Sequence, residues 1–314
     1  MLLSVIIVNY KTYELTKKCT ESILNTIHDI IDYEIIIIDN ASGDSSRNIQ
    51  NLKPEKIKWI GLNENLGFGR ANNVGILTSK GTYILFVNSD IIVLENTIKF
   101  CISVLEDNPE IGVLGCKLTY PDGSHQKSVY YEAGSFKSIL VNNLFVNYLF
   151  GYQAKKMNAL MGSFMLIPKT VLEKSGYFDP DFFMYSEEIE LCRRIVKCGY
   201  QIKFTDQVSA IHFHEGSSNN KKANLRQRFL SNALLYLKLH GLGGYFFYHL
   251  LFFLNIFSNF VVMWFISKNY RSEFKKNYFE STYGYFSNFF AYLSIPFYYN
   301  NSYGSGKRFL TSGK

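Results

Sequence analysis

At 314 residues the chain can bury a large core by itself, as one domain or as one domain with an appendage. Its five cysteines (Cys19, Cys101, Cys116, Cys192 and Cys198) are odd in number and form no CxxC pair, which argues against a disulfide framework or a structural zinc site and for a reducing compartment. The net charge of +7 is local: residues 1–225 carry 23 Lys and Arg against 24 Asp and Glu, whereas 226–314 carry 10 against 2, together with 27 of the 52 aromatic residues. That basic excess lies beside apolar runs rather than on a polar face, so it argues against nucleic-acid binding. The expected division is an α/β domain at 1–225 and an apolar helical region at 226–314.

The N-terminal MLLSVIIVNYK has no basic residue ahead of its apolar run, and the run is short and β-branched, so it reads as a first strand and not as a signal peptide. Strands are expected at Leu3 to Val8, Glu34 to Ile38, Lys58 to Leu62 and Tyr83 to Val87, with helices at Thr12 to Thr26 and Asn65 to Ser79. Continuously apolar strands alternating with helices imply a mostly parallel sheet covered on both faces. Such sheets bind ligands beyond the carboxyl ends of their strands. Here those ends carry Asn9-Tyr10, Asp39-Asn40-Ala41-Ser42, Asn63-Glu64-Asn65 and Asn88-Ser89-Asp90. Asn, Asp and Ser also punctuate ordinary loops, but four such clusters on one edge point to a site.

Further along, YPDGS within 110–135 signals a hairpin, and 136–160 reads as a mobile loop over the site. GSFMLIP is a short strand, Lys169 to Ser175 a short helix, and GYFDPDFFMY a turn-rich approach to Ser186. Ser186 is the expected N-cap of a helix supported by Leu191 and Ile195 at helical spacing and by a Glu190–Arg194 pair.

Several of these residues carry chemistry. A carboxylate at a strand end, Asp39, can accept hydrogen bonds from a base or ribose, and it can equally cap the helix after it. In Asn65-Leu66-Gly67-Phe68-Gly69-Arg70-Ala71-Asn72-Asn73, two glycines permit close backbone approach to a ligand, while the amides can bind it without adding charge. Asn88 and Asp90 alternate on one face of extended chain, and such hard oxygen ligands suit Mg²⁺ or Mn²⁺ bridging to phosphates. One carboxylate is thin for a metal; His212 and His214, again on one face, offer another ligand for metal or phosphate.

In order, VIIVNYKT, IIIDNASGDSS, NENLGFGRANNVGI, ILFVNSDIIV, GSFMLIPKTVLEKSGYFD, FFMYSEEIELCRR and HFHEGSS resemble the family 2 glycosyltransferases, especially the bacterial rhamnosyltransferase-like branch. The resemblance covers about residues 3 to 220. It implies a GT-A fold and an inverting, metal-dependent hexosyltransferase that draws on a nucleotide sugar, with Mg²⁺ or Mn²⁺ as cofactor. By the same resemblance Asp39 contacts the nucleotide base, Asp90 is the carboxylate of the metal motif, and Glu188 is the catalytic base with Glu187 beside it. Asn9, Asn40, Asn65, Gly69, Asn72 and Asn88 are the accompanying donor-binding candidates, and His212 or His214 completes the metal set. The chain departs from the family pattern in having Asn88 where the metal motif starts with aspartate, and glutamate where the base is aspartate. Burial and like charge raise the pKa of such a pair whereas a helix N-terminus lowers it, and the sequence leaves that contest open.

The branch favours dTDP-rhamnose as donor and a lipid-linked glycan of cell-surface polysaccharide as acceptor. Leu242 to Ile266 is long enough to cross a bilayer, but its recurring polar residues suit an interfacial helix equally, or a buried hairpin. Lys268, Arg271, Lys275 and Lys276 follow, as expected against anionic lipid. The expected location is therefore the cytoplasmic face of the cell membrane, peripheral or single-span. Two alternatives are a sugar-phosphate nucleotidyltransferase, whose glycine- and base-rich N-terminal signature VNYKTYELTKK lacks, and a non-catalytic membrane-bound scaffold.

Overall fold

The computed structural model describes residues 2–27, 32–141, 156–213 and 221–262, with 278–279, 282–283, 285–288, 291–292 and 295. In chain order these form β1 (Leu2–Asn9), α1 (Tyr13–Thr26), β2 (Asp32–Asp39), a 3₁₀ segment (Ser45–Leu52), β3 (Ile57–Gly61), α2 (Phe68–Thr78), β4 (Tyr83–Asn88) and β5 (Ile91–Val93). Then follow α3 (Thr97–Asp107), β6 (Ile111–Thr119), β7 (His125–Gln126), β8 (Val129–Tyr131), α4 (Phe136–Val141), β9 (Met157–Leu160) and β10 (Phe164–Pro168). The last are α5 (Lys169–Ser175), α6 (Glu187–Lys197), β11 (Gln201–His212) and α7 (Lys221–Val262). Two compact units result, one of residues 1–130, 158–183 and 187–219, the other of 131–157, 184–186 and 220–314.

The first unit is built on a sheet in the order β3-β2-β1-β4-β10-β6-β11-β5, with β7 beside β6. The first four strands are parallel, as their unbroken apolar runs require, because only a sheet covered on both faces buries Ile35, Ile36, Ile37 and Ile38 together. Helix α1 covers one face with Cys19 and Ile23. Helix α2 approaches β1 so closely that a Cβ on Gly75 would lie 2.5 Å from Ile6 Cγ2, and only glycine fits there. Strand β10 enters antiparallel between β4 and β6, and β11 runs parallel to β6 but antiparallel to β5. The sheet is therefore mixed toward one side, with the parallel half carrying the strand ends of interest.

The hairpin expected at YPDGS is formed by β6 and β7. Residues 136–141 are helical and 157–160 a strand, where the sequence suggested loop; the stretch between them falls outside the described residues. In the second unit α4 and α7 meet through Ser138 Oγ and Tyr236 OH at 3.0 Å, while Tyr236 OH donates to Ser135 O at 2.7 Å. Non-helical φ and ψ at Gly241 (67° and −170°) break α7 into 221–240 and 242–262.

Candidate active site

Register brings the strand ends together: Asn9 lies opposite Asp39, and Val8 opposite Asn88. Asn9 is fully buried and acts as a hub. Its Nδ2 donates to Asp39 Oδ1 at 2.8 Å and Ser42 Oγ at 2.9 Å and faces the Asp44 carboxylate at 3.1 Å. Its Oδ1 accepts from Thr16 Oγ1 at 2.7 Å and Thr12 Oγ1 at 3.1 Å. An amide has two N–H groups and two lone pairs, so protein groups use the whole capacity of Asn9, and the residue supports Asp39. Ser42 fastens Asp39 further, through a short bond from its Oγ to Oδ1 and from its N to Oδ2 at 3.3 Å. The turn leaves the strand through Ala41, a non-glycine residue at φ +61°, a strain that such sites sustain.

Asn40 and Asn65 lock the entry to α2. Asn40 Nδ2 donates to Asn65 Oδ1 at 2.8 Å and Gly67 O at 3.2 Å, and its Oδ1 accepts from Leu66 N at 2.8 Å. Gly67 has φ +83°, and its neighbour is the protein itself: Phe68 N donates to Phe183 O at 2.8 Å, and a Cβ at 67 would sit 2.0 Å from that oxygen. A Cβ on Gly69 would touch Phe178 Cβ at 3.1 Å and Glu187 Cβ at 3.7 Å. The glycine pair thus seats α2 against the segment that carries the two glutamates. Asn72 donates to Phe68 O at 3.0 Å, leaving its buried Oδ1 without a hydrogen bond.

On the other side of β4, Asn88 N donates to Ser163 O at 3.0 Å, and the buried Asn88 Oδ1 accepts no hydrogen bond. Asp90 and His212, both buried, face each other with Oδ1 and Nε2 3.2 Å apart. His212 Nδ1 is 2.8 Å from the side-chain amide of Gln126. His214 lies outside the described residues. Among the described residues no three His, Cys, Asp or Glu side chains gather as a full metal cage. An oxygen and a nitrogen converging within 3.2 Å, with a buried amide oxygen that accepts no hydrogen bond two residues along the chain at Asn88, nonetheless fit a divalent cation of the kind that completes its shell with phosphate and water.

Glu187 and Glu188 open α6 and are both buried. Tyr130 OH donates to Glu188 Oε1 at 3.1 Å, and a Cβ on Gly162 would lie 3.5 Å from Glu188 Cβ. Burial, and then the Glu188 charge, push the Glu187 carboxyl well above the ordinary carboxylate range, outweighing a backbone hydrogen bond that lowers it. Desolvation therefore prevails over the helix N-terminus at this position. Tyr185 and Ser186, immediately before, sit at φ +72° and +70°, outside the extended conformation of an ordinary N-cap. Ser186 Oγ donates to Asn232 Oδ1 at 2.9 Å.

Tyr130 and Gln126 were not singled out in the sequence. Their signal is the alternation in HQKSVYY, which places Gln126, Ser128 and Tyr130 on one side of extended chain.

Relatives of known activity show related organisation. A hexosyltransferase of low-salt glycan biosynthesis, Agl10 of Haloferax volcanii, is 28% identical over 249 residues, covering 75% of this chain and 77% of its own. The rhamnosyltransferase WbbL of Escherichia coli is 27% identical over 244 residues, covering 70% and 87%. Among solved structures, the mannosyltransferase PcManGT of Pyrobaculum calidifontis in complex with GDP-Man and Mn²⁺ superposes with a TM-score of 0.58 over 96% of this chain and 88% of its own, at 15% identity. TarS 1–349 of S. aureus, in complex with UDP-GlcNAc, gives 0.54 over 76% and 67%, at 16% identity. Both share the GT-A fold with this chain. The model for "Glycosyl transferase family 2" matches residues 4–176, more than half of the chain and the whole strand edge from Asn9 to Asp90, and the chain belongs to that family.

Proposed function

We propose that the protein is an inverting glycosyltransferase that moves a hexosyl group from a nucleoside-diphosphate sugar to a lipid-linked glycan, with Glu188 as base. The observation that carries this reading is the buried pair itself. One carboxyl, Glu187, is driven toward its neutral form, and the role of proton acceptor goes to its neighbour Glu188. The acceptor hydroxyl gives its proton to Glu188 as its oxygen bonds to the anomeric carbon. The bond from that carbon to the phosphate oxygen breaks on the opposite side, and the nucleoside diphosphate leaves with the electron pair. Tyr130 holds Oε1 of the base in place. Asp39, fixed by Asn9 and Ser42, meets the nucleotide base or its ribose.

Asp90 and His212 are the proposed holders of Mg²⁺ or Mn²⁺, with Asn88 supplying an amide oxygen and Gln126 orienting the His212 ring. Bound there, the cation neutralises charge on the diphosphate. Similarity to the rhamnosyltransferase WbbL supports a rhamnosyl donor, proposed here as dTDP-rhamnose, and the role of Agl10 in glycan biosynthesis supports a cell-surface polysaccharide product. Among the described residues one helix, α7, is long and apolar enough to cross a membrane, which supports attachment to a membrane, proposed here at the cytoplasmic face.

The test is a thermal-shift screen with dTDP-, UDP- and GDP-sugars plus Mn²⁺, followed by Glu188→Gln under saturating donor. A binding donor stabilises the folded state by RT ln(1 + [L]/Kd) and so raises the transition temperature, and Glu188→Gln reduces turnover by roughly 10²–10⁴-fold. Near-wild-type turnover removes Glu188 from the role of base.

A further inference from the structure

We propose that residues 242–262 of α7 lie in the plane of an anionic membrane surface, with one apolar arc of the helix inserted among the lipids, instead of crossing the bilayer. This deepens the membrane attachment proposed above and rests on it. The stretch is uncharged, and it is a separate helix because Gly241 breaks the chain ahead of it. At about 100° per residue, Leu242, Phe246, Leu250, Phe253, Phe257 and Phe260 fall within about 80° of arc. All six are exposed, Phe246 by 65% and Phe257 by 61%.

The opposite arc holds Tyr245, Tyr248, Phe252, Asn255 and Asn259, and it faces the second unit's interior. Tyr245 and Tyr248 are buried. Tyr245 OH donates to Tyr292 O at 2.7 Å, His249 Nδ1 lies 2.7 Å from Tyr285 OH, and Asn255 Nδ2 donates to Ile139 O at 3.4 Å. Phe252 stacks on Tyr285 with ring centroids 4.6 Å apart. A helix at a protein–water boundary turns its apolar stripe inward and its polar face out. This helix is reversed. A bilayer-spanning helix would meet lipid all round, whereas here, among the described residues, one arc is open and Tyr245, Asn255 and Asn259 already have hydrogen-bond partners in protein.

Charge selects lipid over another protein as the occupant. Residues 216–272 contain no Asp or Glu, while Lys221, Lys222, Arg226, Arg228 and Lys238 precede the break. An uncharged aromatic stripe adjoining a run of cations, in a stretch of sequence without acidic residues, matches an interface of anionic headgroups over hydrocarbon.

The experiment uses full-length protein and flotation with vesicles of phosphatidylcholine, alone or mixed with phosphatidylglycerol. Wild-type protein floats with the anionic vesicles. The triple variant Phe246→Ser, Phe253→Ser, Phe257→Ser, whose positions are all exposed, keeps its fold and loses at least about a hundredfold in partitioning, from roughly tenfold per phenylalanine withdrawn from lipid. Depth is read with a fluorophore on single cysteines placed at 246, 253 or 260 in a Cys198→Ser background, since the other four native cysteines are buried. Quenching by lipids labelled at graded depths then gives equal, shallow positions. A depth gradient along the three sites overturns the in-plane arrangement, and so does undiminished binding by the triple variant, while both leave membrane attachment standing. Wild-type protein that fails to float with either vesicle overturns attachment itself. A dimer in sedimentation velocity that the triple variant dissociates makes the arc a subunit contact and also overturns the proposal.

Discussion

Alanine at Gly67 tests whether the glycine run serves to seat the glutamate pair. The new Cβ would lie 2.0 Å from Phe183 O and 2.8 Å from Phe183 C, against about 3.0 Å as the closest approach real Cβ atoms make. The obstacle is backbone, which no rotamer change relieves, so 183 must retreat by about 1 Å in a densely packed interior. Phe183 is four residues before Glu187 and accepts the hydrogen bond from Phe68 N, so the shift travels into the helix start. Backbone at φ +83° and ψ 178° adds about 1–3 kcal/mol for any residue with a side chain. The expected loss is about 2–4 kcal/mol, or roughly 4–16 °C in Tm for a unit of this size. Turnover, read as nucleoside diphosphate released from the donor found by thermal shift, falls about a hundredfold, the usual effect of a 1 Å misplacement. Gly123→Ala is the control, because Gly123 has φ +81° with nothing within 4 Å of the added carbon. It bears conformational strain alone and keeps wild-type turnover. A Gly67→Ala protein with wild-type turnover and the Tm of the control refutes the seating role.

Gln126→Leu removes the side-chain amide at His212 Nδ1 and is expected to weaken Mn²⁺ binding in the presence of UDP by about 10–100-fold in an EPR titration; unchanged affinity refutes the role of Gln126. Glu187→Gln tests the raised carboxyl. Because the folded-state pKa lies above the ordinary 4.5, the unfolded chain loses this proton first as pH rises, and wild-type stability declines from about pH 4.5 upward through the folded value. The variant lacks that titration, so its stability relative to wild type in urea unfolding grows as pH rises above about 4.5, and a constant or shrinking difference contradicts the assignment. Glu188→Asp withdraws the carboxylate by about one C–C bond, 1.5 Å, from Tyr130. It should therefore lower turnover while making the further change Tyr130→Phe nearly silent, a coupling absent if the two groups act independently.

The parallel half of the sheet was legible because β-branched runs such as IIII have no other way to be buried. The antiparallel insertion of β10 was not, since a five-residue apolar strand announces its conformation and not its neighbours. At the strand ends, the pattern located the polar residues but not their duties. Asn9, Asn40 and Asn65 have the donors and acceptors that a nucleotide needs, and the same groups hold Asp39 and the α2 entry in place. Close approach at Gly67 was readable from residue type, whereas the approaching partner, 116 positions away at Phe183, was not. Tyr130 and Gln126 escaped for the same reason, lying 58 and 86 residues from Glu188 and His212.

A glutamate in the place where the family pattern has aspartate poses a positioning problem, because the extra rotatable bond must be ordered at a cost in entropy. In the surroundings of Glu188, Tyr130 OH donates to one carboxylate oxygen and so restricts the tip of the side chain. Glu187 contributes from the other side: held toward neutrality, it removes a like charge from its neighbour and spares the site a second buried anion. Tyr185 and Ser186, immediately before these glutamates in the chain, hold positive φ, a conformation that persists only where its surroundings over-determine it. As the proposed base, the longer Glu188 is thus a consistent alternative to an aspartate, with Tyr130 as the compensating residue.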